Sequence, residues 1–157
     1  MAQAQQFMLE AIQLSAQNIQ EQCWGPFGCV IVKNGEVVGR GYNHVVANND
    51  PTAHGEVMAI RDACKNLGTF DLSGCELYTS CEPCPMCLGA TYRARIDKIY
   101  YANTEKDAHD IGFDDEIFYD EFSKPINERK VPMEQICHEE ARAIFDQWKK
   151  EVTDIKY

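Results

Sequence analysis

The sequence predicts an α/β domain in which helices cover both faces of a mixed β-sheet. Three observations carry that expectation. Two β-branched runs flank Asn34-Gly35, a strong two-residue hairpin signal. Two helical-period segments, 54–67 and 84–94, alternate with short apolar strands. The chain also begins with an amphipathic stretch, residues 5–22, suited to covering one sheet face.

Taken in order, residues 5–22 place Met8, Ile12, Ser15/Ala16 and Ile19 at three- and four-residue steps between Gln and Glu. "FGCVIVK" and "EVVGRGY" then form an antiparallel pair across Asn34-Gly35, and "HVVANNDPTA" follows as a loop. The segment from His54 carries Val57, Ile60, Ala63/Cys64 and Leu67 in helical register and ends at Gly68, a residue suited to a left-handed helix terminus. "CELYTS" reads as a strand, 84–94 as a helix and "KIYYA" as another strand. Beyond an acidic segment, "VPMEQICH" is a candidate strand, and a helix runs from Glu139 to about Glu151 before a terminal "DIKY". No repeat or linker interrupts the chain, so residues 1–157 are expected to form one domain, long enough to remove roughly two thirds of its unfolded surface from water.

Composition narrows the function classes. Apolar residues make up 45% and charged residues 25%, ordinary values for a globular protein. The start lacks a basic n-region and an apolar h-region, and no run is long enough to span a bilayer, which points to the cytoplasm. Under reducing conditions the eight cysteines are better explained by metal ligation and burial than by disulfides. A formal charge of −10 with no basic cluster disfavours nucleic acid, since that affinity depends on grouped Lys and Arg. A small neutral or weakly basic substrate is the easier expectation.

The chemistry concentrates at "SCEPCPMCLG" and "HGE". Cys84 and Cys87 stand at C-x-x-C spacing on one face of a helix start and can grip one ion, with His54 offering an imidazole from the start of the other helix. Both helices would aim their amino ends at the ion, where free N–H groups and the helix dipole favour thiolates. Pro85 fits the first helical turn. Cys81 has the same three-residue spacing, but Pro83 biases its predecessor toward extended backbone at the end of a strand. A closed Cys3His site using Cys81 would be structural; two thiolates and one imidazole balance Zn²⁺ and leave a fourth position for water. Glu56, two residues after His54, favours the open alternative because it stands where it could move protons for such a site. Taken alone, Glu56 is also a plain helix-start acid. His44, His109 and His138 have no partner at metal spacing. Cys23, Cys29, Cys64, Cys75 and Cys137 read as small buried groups, and Ile144, Trp148 and Val152 as the packed face of the last helix.

"HGE" at 54–56 with "PCPMC" at 83–87 carries the H-x-E and P-C-x-x-C signature of zinc-dependent nucleobase deaminases. The order of elements resembles the cytidine deaminase-like fold, which implies a three-layer α/β/α sandwich around a five-stranded mixed sheet. Within that superfamily "GPFGCVIVKNG", "NNDPTAHGEVMAIRDAC", "LYTSCEPCPMCLGA" and "GFDDEIFY" resemble segments of the bacterial guanine deaminases, as does a final Tyr. The resemblance implies His54, Cys84 and Cys87 as ligands of one zinc ion per subunit and Glu56 as proton shuttle. It implies Phe27 and Asn43 against the purine, and Asp115 and Tyr157 in substrate recognition, with Asp115 assisting proton transfer. It further implies a domain-swapped homodimer exchanging a carboxy-terminal segment at about 139–157. Asp115 makes chemical sense: guanine presents N1–H and a 2-amino group side by side, and a carboxylate accepts such a pair. Gly55 stands where the family usually has Ala, and Arg93 where a relative has an aromatic residue. The expected reaction is hydrolytic deamination of guanine to xanthine and ammonia. The alternatives are another amino-heterocycle or nucleoside such as guanosine, a triazine or cytidine, then tRNA adenosine, and, in a different class, a non-catalytic zinc-stabilised module.

Overall fold

The computed structural model describes residues 2–22, 25–151 and 157. The elements run α1 (Ala2–Gln20), β1 (Gly28–Lys33), β2 (Glu36–Tyr42), α2 (Val45–Asn48), α3 (Gly55–Leu67), β3 (Cys75–Cys81), α4 (Pro85–Arg93), β4 (Lys98–Asn103), α5 (Glu105–Asp110), α6 (Glu116–Ser123), a 3₁₀ turn (Ile126–Glu128) and α7 (His138–Glu151). They fall into two compact units, Met1–Asp115 and Glu116–Tyr157.

The first unit holds a mixed sheet in the order β2-β1-β3-β4. Asn34 and Gly35 both adopt positive φ, 50° and 79°, which is the twist a tight hairpin requires, and β1 and β2 pair antiparallel around them. β1 also pairs antiparallel with β3, and β3 pairs parallel with β4 across α4. Alternation along β1 divides the core in two. Cys29 and Ile31 face Ala59 and Ala63 of α3, while Val30 and Val32 face Ala11 of α1. This is the expected layering of helix, sheet and helix.

Close approach of α3 to β2 depends on the absence of side chains at Gly39 and Gly41. A Cβ at Gly39 would stand 2.6 Å from the Ala59 carbonyl, and one at Gly41 would collide with the α3 backbone at Gly55 and Ala59. α3 is thereby pressed onto the sheet at the turn that carries His54 and Glu56.

Several expectations are corrected. Among the described residues the sheet has four strands rather than five, because "VPMEQICH" forms no ladder: Pro132 has no N–H to give, and residues 131–137 are all exposed. On α1 the packed stripe is Ala4, Phe7, Met8, Ala11 and Leu14, whereas Ile12 and Ile19 are exposed. Both stripes have helical period; small Ala11 wins because α1 lies against Gly28, where a bulkier residue could not sit. The loop after β2 contains the one-turn α2, and α5 follows β4 directly.

In the second unit no described residue is buried. Glu121 ties it locally, accepting from Lys124 Nζ at 2.5 Å and from the Lys130 N–H at 2.7 Å. Ile144 and Trp148 of α7 are exposed instead of packed, and Val152 lies outside the described residues. Among the other cysteines Cys29 and Cys75 are buried as expected, Cys64 is half-buried and Cys137 is exposed, while Cys23 lies outside the described residues. No helix among the described residues is long and apolar enough to cross a membrane.

Candidate active site

Two helix starts meet beside the end of β3. His54 is the N-cap of α3 and Cys84 the N-cap of α4, both in extended backbone, with Pro85 opening the α4 helix. His54 Nδ1 stands 3.5 Å from both Cys84 Sγ and Cys87 Sγ, and one ligand atom from each of the three residues lies within 4.8 Å of the others. Cys84 Sγ also accepts from the Cys87 N–H at 3.5 Å, so a helix terminus supports the thiolate. A convergent set of two sulfurs and one imidazole suits zinc. Cys81 does not join it: its thiol is buried at the strand end and donates to the Thr104 carbonyl at 3.7 Å.

The charges at this cluster are set by contact and burial. The hydrogen bond from Cys87, supported by His54, holds Cys84 down at about 4, and the same Cys84 thiolate pushes the Cys87 thiol up. His54 is raised, chiefly by its hydrogen bond to Cys84. Without a metal the cluster favours a thiolate at Cys84, and a cation bound there displaces the protons its other ligands still carry.

Glu56 lies in the first turn of α3, only 6% exposed, and accepts the Thr79 hydroxyl at 3.0 Å. Burial raises its carboxyl above 4.5, opposed by hydrogen bonds from the backbone, Cys87 and Thr79. The environment therefore moves this group toward the range in which a carboxylate both takes and returns a proton near neutrality.

A cavity of about 260 Å³ opens onto these groups, within the first unit. Phe27, Val45, Val46, Pro51, Ala108 and Phe113 give it apolar walls; Asn43, Glu56, Glu82 and Asp115 give it polar ones. The Phe27 and Phe113 rings meet edge to face at 4.9 Å and 90°. Asn43 is buried, and its Oδ1 accepts from the Val45 N–H at 3.1 Å at the start of α2. Asp115 is half-buried, its carboxyl raised by burial and then by the Cys84 thiolate. One cavity therefore gathers His54, Glu56, Cys84, Phe27, Asn43 and Asp115. Tyr157 belongs to the second unit and is exposed.

Three features at or beside the cavity escape a reading of the sequence alone. Thr79 has no motif, and only its inward register on β3 brings it to Glu56. Glu82 lines the cavity and accepts the Glu105 N–H at 2.9 Å. Phe113 depends on the chain reversal after α5. That helix did leave a signal, since "TEKD" is a capping box in which the Thr104 N–H donates to Asp107 Oδ2 at 2.8 Å.

Helix starts that bring His54, Cys84 and Cys87 together beside a buried Glu56 at the edge of one small cavity are the arrangement of the zinc-dependent nucleobase aminohydrolases. Over residues 1–103 the chain matches the cytidine and deoxycytidylate deaminase zinc-binding region, and it belongs to that family. It is 48% identical over 143 residues to the guanine deaminase of Bacillus subtilis (strain 168), covering 91% of this chain and 92% of that one. The X-ray structure of guanine deaminase from Bacillus subtilis superposes with a TM-score of 0.93 at 46% identity, covering 98% of each chain. The guanine deaminase of Nitrosomonas europaea superposes at 0.66 with 34% identity, over 69% of this chain and 63% of that one. The tRNA-specific adenosine deaminase of Aquifex aeolicus is 46% identical over 81 residues, 52% of this chain and 54% of that one.

Proposed function

We propose that the protein deaminates guanine hydrolytically to xanthine and ammonia. The observation that carries this reading is the cavity in which Glu56 and the His54, Cys84, Cys87 cluster face Asn43 and Asp115, in a chain nearly half identical to a guanine deaminase along most of its length. His54, Cys84 and Cys87 would hold the zinc, which when bound would supply the Lewis acidity that makes a water a competent nucleophile near neutral pH. Glu56 takes a proton from the attacking water as its oxygen bonds to C2 of guanine, and returns it to ring nitrogen N3. As the C2–amine bond breaks, Glu56, with Asp115 assisting, moves the proton of the new C2 hydroxyl to the departing nitrogen, so the C2 oxygen becomes the xanthine carbonyl and ammonia leaves. The Asp115 carboxylate accepts from N1–H and the 2-amino group; the Asn43 amide donates to the purine and Phe27 packs on its ring.

A cavity of about 260 Å³ lies just below the ~300–1,000 Å³ range of small-molecule sites and favours a free base over a nucleoside. The formal charge of −10 weighs against tRNA. The active form is a cytoplasmic homodimer in which a segment at about 139–157 is exchanged and Tyr157 completes a neighbouring pocket. Its support is the second unit's exposed Ile117, Phe118, Phe122, Ile136, Phe145 and Trp148, which need a partner surface.

The test is incubation of purified protein with guanine and with guanosine, following xanthine and xanthosine with and without added zinc after chelation. Zinc-dependent xanthine formation that outpaces xanthosine formation is expected. No xanthine from the zinc-loaded protein would falsify the substrate assignment.

A further inference from the structure

Asn18 is a fully buried amide on α1, at a depth where most side chains are apolar. Its Nδ2 donates to the carbonyl of Gly25, while its Oδ1 meets no donor among the described residues. A carbonyl oxygen can only accept, so the atom Asn18 turns toward Gly25 must be its NH2, and this contact fixes the amide's orientation even though Oδ1 finds no donor among the described residues.

What Gly25 touches explains why that carbonyl matters. Gly25 has φ +95° and lines the cavity. A Cβ added to it would stand 3.2 Å from Asn43 Cγ, 3.3 Å from Asn43 Nδ2 and 3.3 Å from a Phe27 ring carbon. The Gly25 backbone is therefore seated directly against both side chains, its φ of +95° disfavours any other residue, and a Cβ would press both side chains at 3.2–3.3 Å. Asn43 Oδ1 is committed to the Val45 N–H, so the capacity left to this amide is its pair of N–H donors, matched to acceptor atoms on a purine.

We propose that Asn18 is a positioning residue for purine recognition: from α1 it holds the Gly25 carbonyl, and through Gly25 it sets where the Asn43 amide and the Phe27 ring stand in the cavity. The inference rests on Asn43 contacting the purine, as the proposed function has it. Asn18 touches no substrate and takes no part in proton transfer, so its loss acts on binding.

The experiment uses the full-length, zinc-loaded protein. N18A is expected to raise KM for guanine roughly three- to tenfold, the scale of one positioned hydrogen bond, with kcat within about twofold and zinc content unchanged. V32A is the control, removing buried apolar bulk beneath the same helix; it lowers Tm and leaves KM alone. Combining N18A with N43A tests the route, because the N18A penalty should shrink to under about twofold when Asn43 is already gone. Calorimetric affinity for xanthine makes the same comparison without turnover. N18S, too short to reach Gly25, is judged by the same measurements should N18A not fold.

Three results overturn the proposal: an unchanged KM, a rise no larger than that of V32A, or a penalty that persists undiminished beside N43A. A wild-type protein inert toward guanine would instead sink the substrate assignment. An active wild type with an indifferent N18A sinks the positioning role alone.

Discussion

Replacing Glu56 by Gln separates proton transfer from metal retention. Glu56 is 6% exposed and its Oε1 accepts the Thr79 hydroxyl at 3.0 Å, a bond the isosteric amide oxygen accepts equally well. No metal ligand changes, so the variant is expected to bind a full equivalent of zinc. Turnover should fall by about 10²- to 10⁴-fold, the usual contribution of a positioned acid/base, or ~2.7–5.4 kcal/mol of barrier at ~1.36 kcal/mol per decade. Stability should move the other way. In the metal-free protein burial raises the Glu56 carboxyl above 4.5, so folding favours its protonated form. That stability is fully present below 4.5 and is lost as pH rises through the elevated folded value. Near neutral pH, metal-free E56Q should therefore melt no lower than the wild type, with the difference closing as pH falls toward 4.5. Xanthine formation at saturating guanine, metal analysis and thermal melts read the three quantities. A variant that keeps full zinc and more than about a tenth of wild-type kcat would refute the role given to Glu56.

Three further substitutions test the metal site and its support. C81A should retain one zinc per chain, because that thiol is engaged with the Thr104 carbonyl, whereas C84S should weaken zinc more than about 100-fold, the upper range for loss of a mere outer partner; competition with a graded chelator distinguishes the two. G41A places a Cβ 2.9 Å from the Met58 carbonyl carbon and closer still to Gly55 and Ala59, so it should destabilise by about 1–3 kcal/mol in a denaturant titration and weaken zinc as α3 lifts from β2. Unaltered stability would mean that the α3 contact is not tight.

What the sequence disclosed depended on whether the signal was local. Asn34-Gly35 determines its own backbone angles, so the hairpin was readable from two residues. Pro83 and Pro85 separate a strand end from a helix start, and that local break sets Cys81 apart from Cys84 and Cys87 in the sequence itself. The stripe on α1 failed because hydrophobic period alone cannot choose between two neighbouring faces; the choice lies with Gly28, a contact that sequence spacing does not encode. The fifth strand failed for a related reason, since apolar character and Pro132 say nothing about whether a ladder partner is present. Thr79, Glu82 and Asn18 matter through tertiary contacts with residues distant in the chain or across a turn, and each looks ordinary in its own segment.

His54 and Cys84 cap two helices some thirty residues apart in the chain, with β3 between them. A ligand gripped by both caps acts as a clasp on that loop, and the free energy of gripping it is added to the free energy of folding. Chains deprived of the ion would then open more often along α3, β3 and α4 and be exposed there to proteases. Scarcity of the metal would accordingly thin the population of chains rather than leave behind a stock of intact but inert ones.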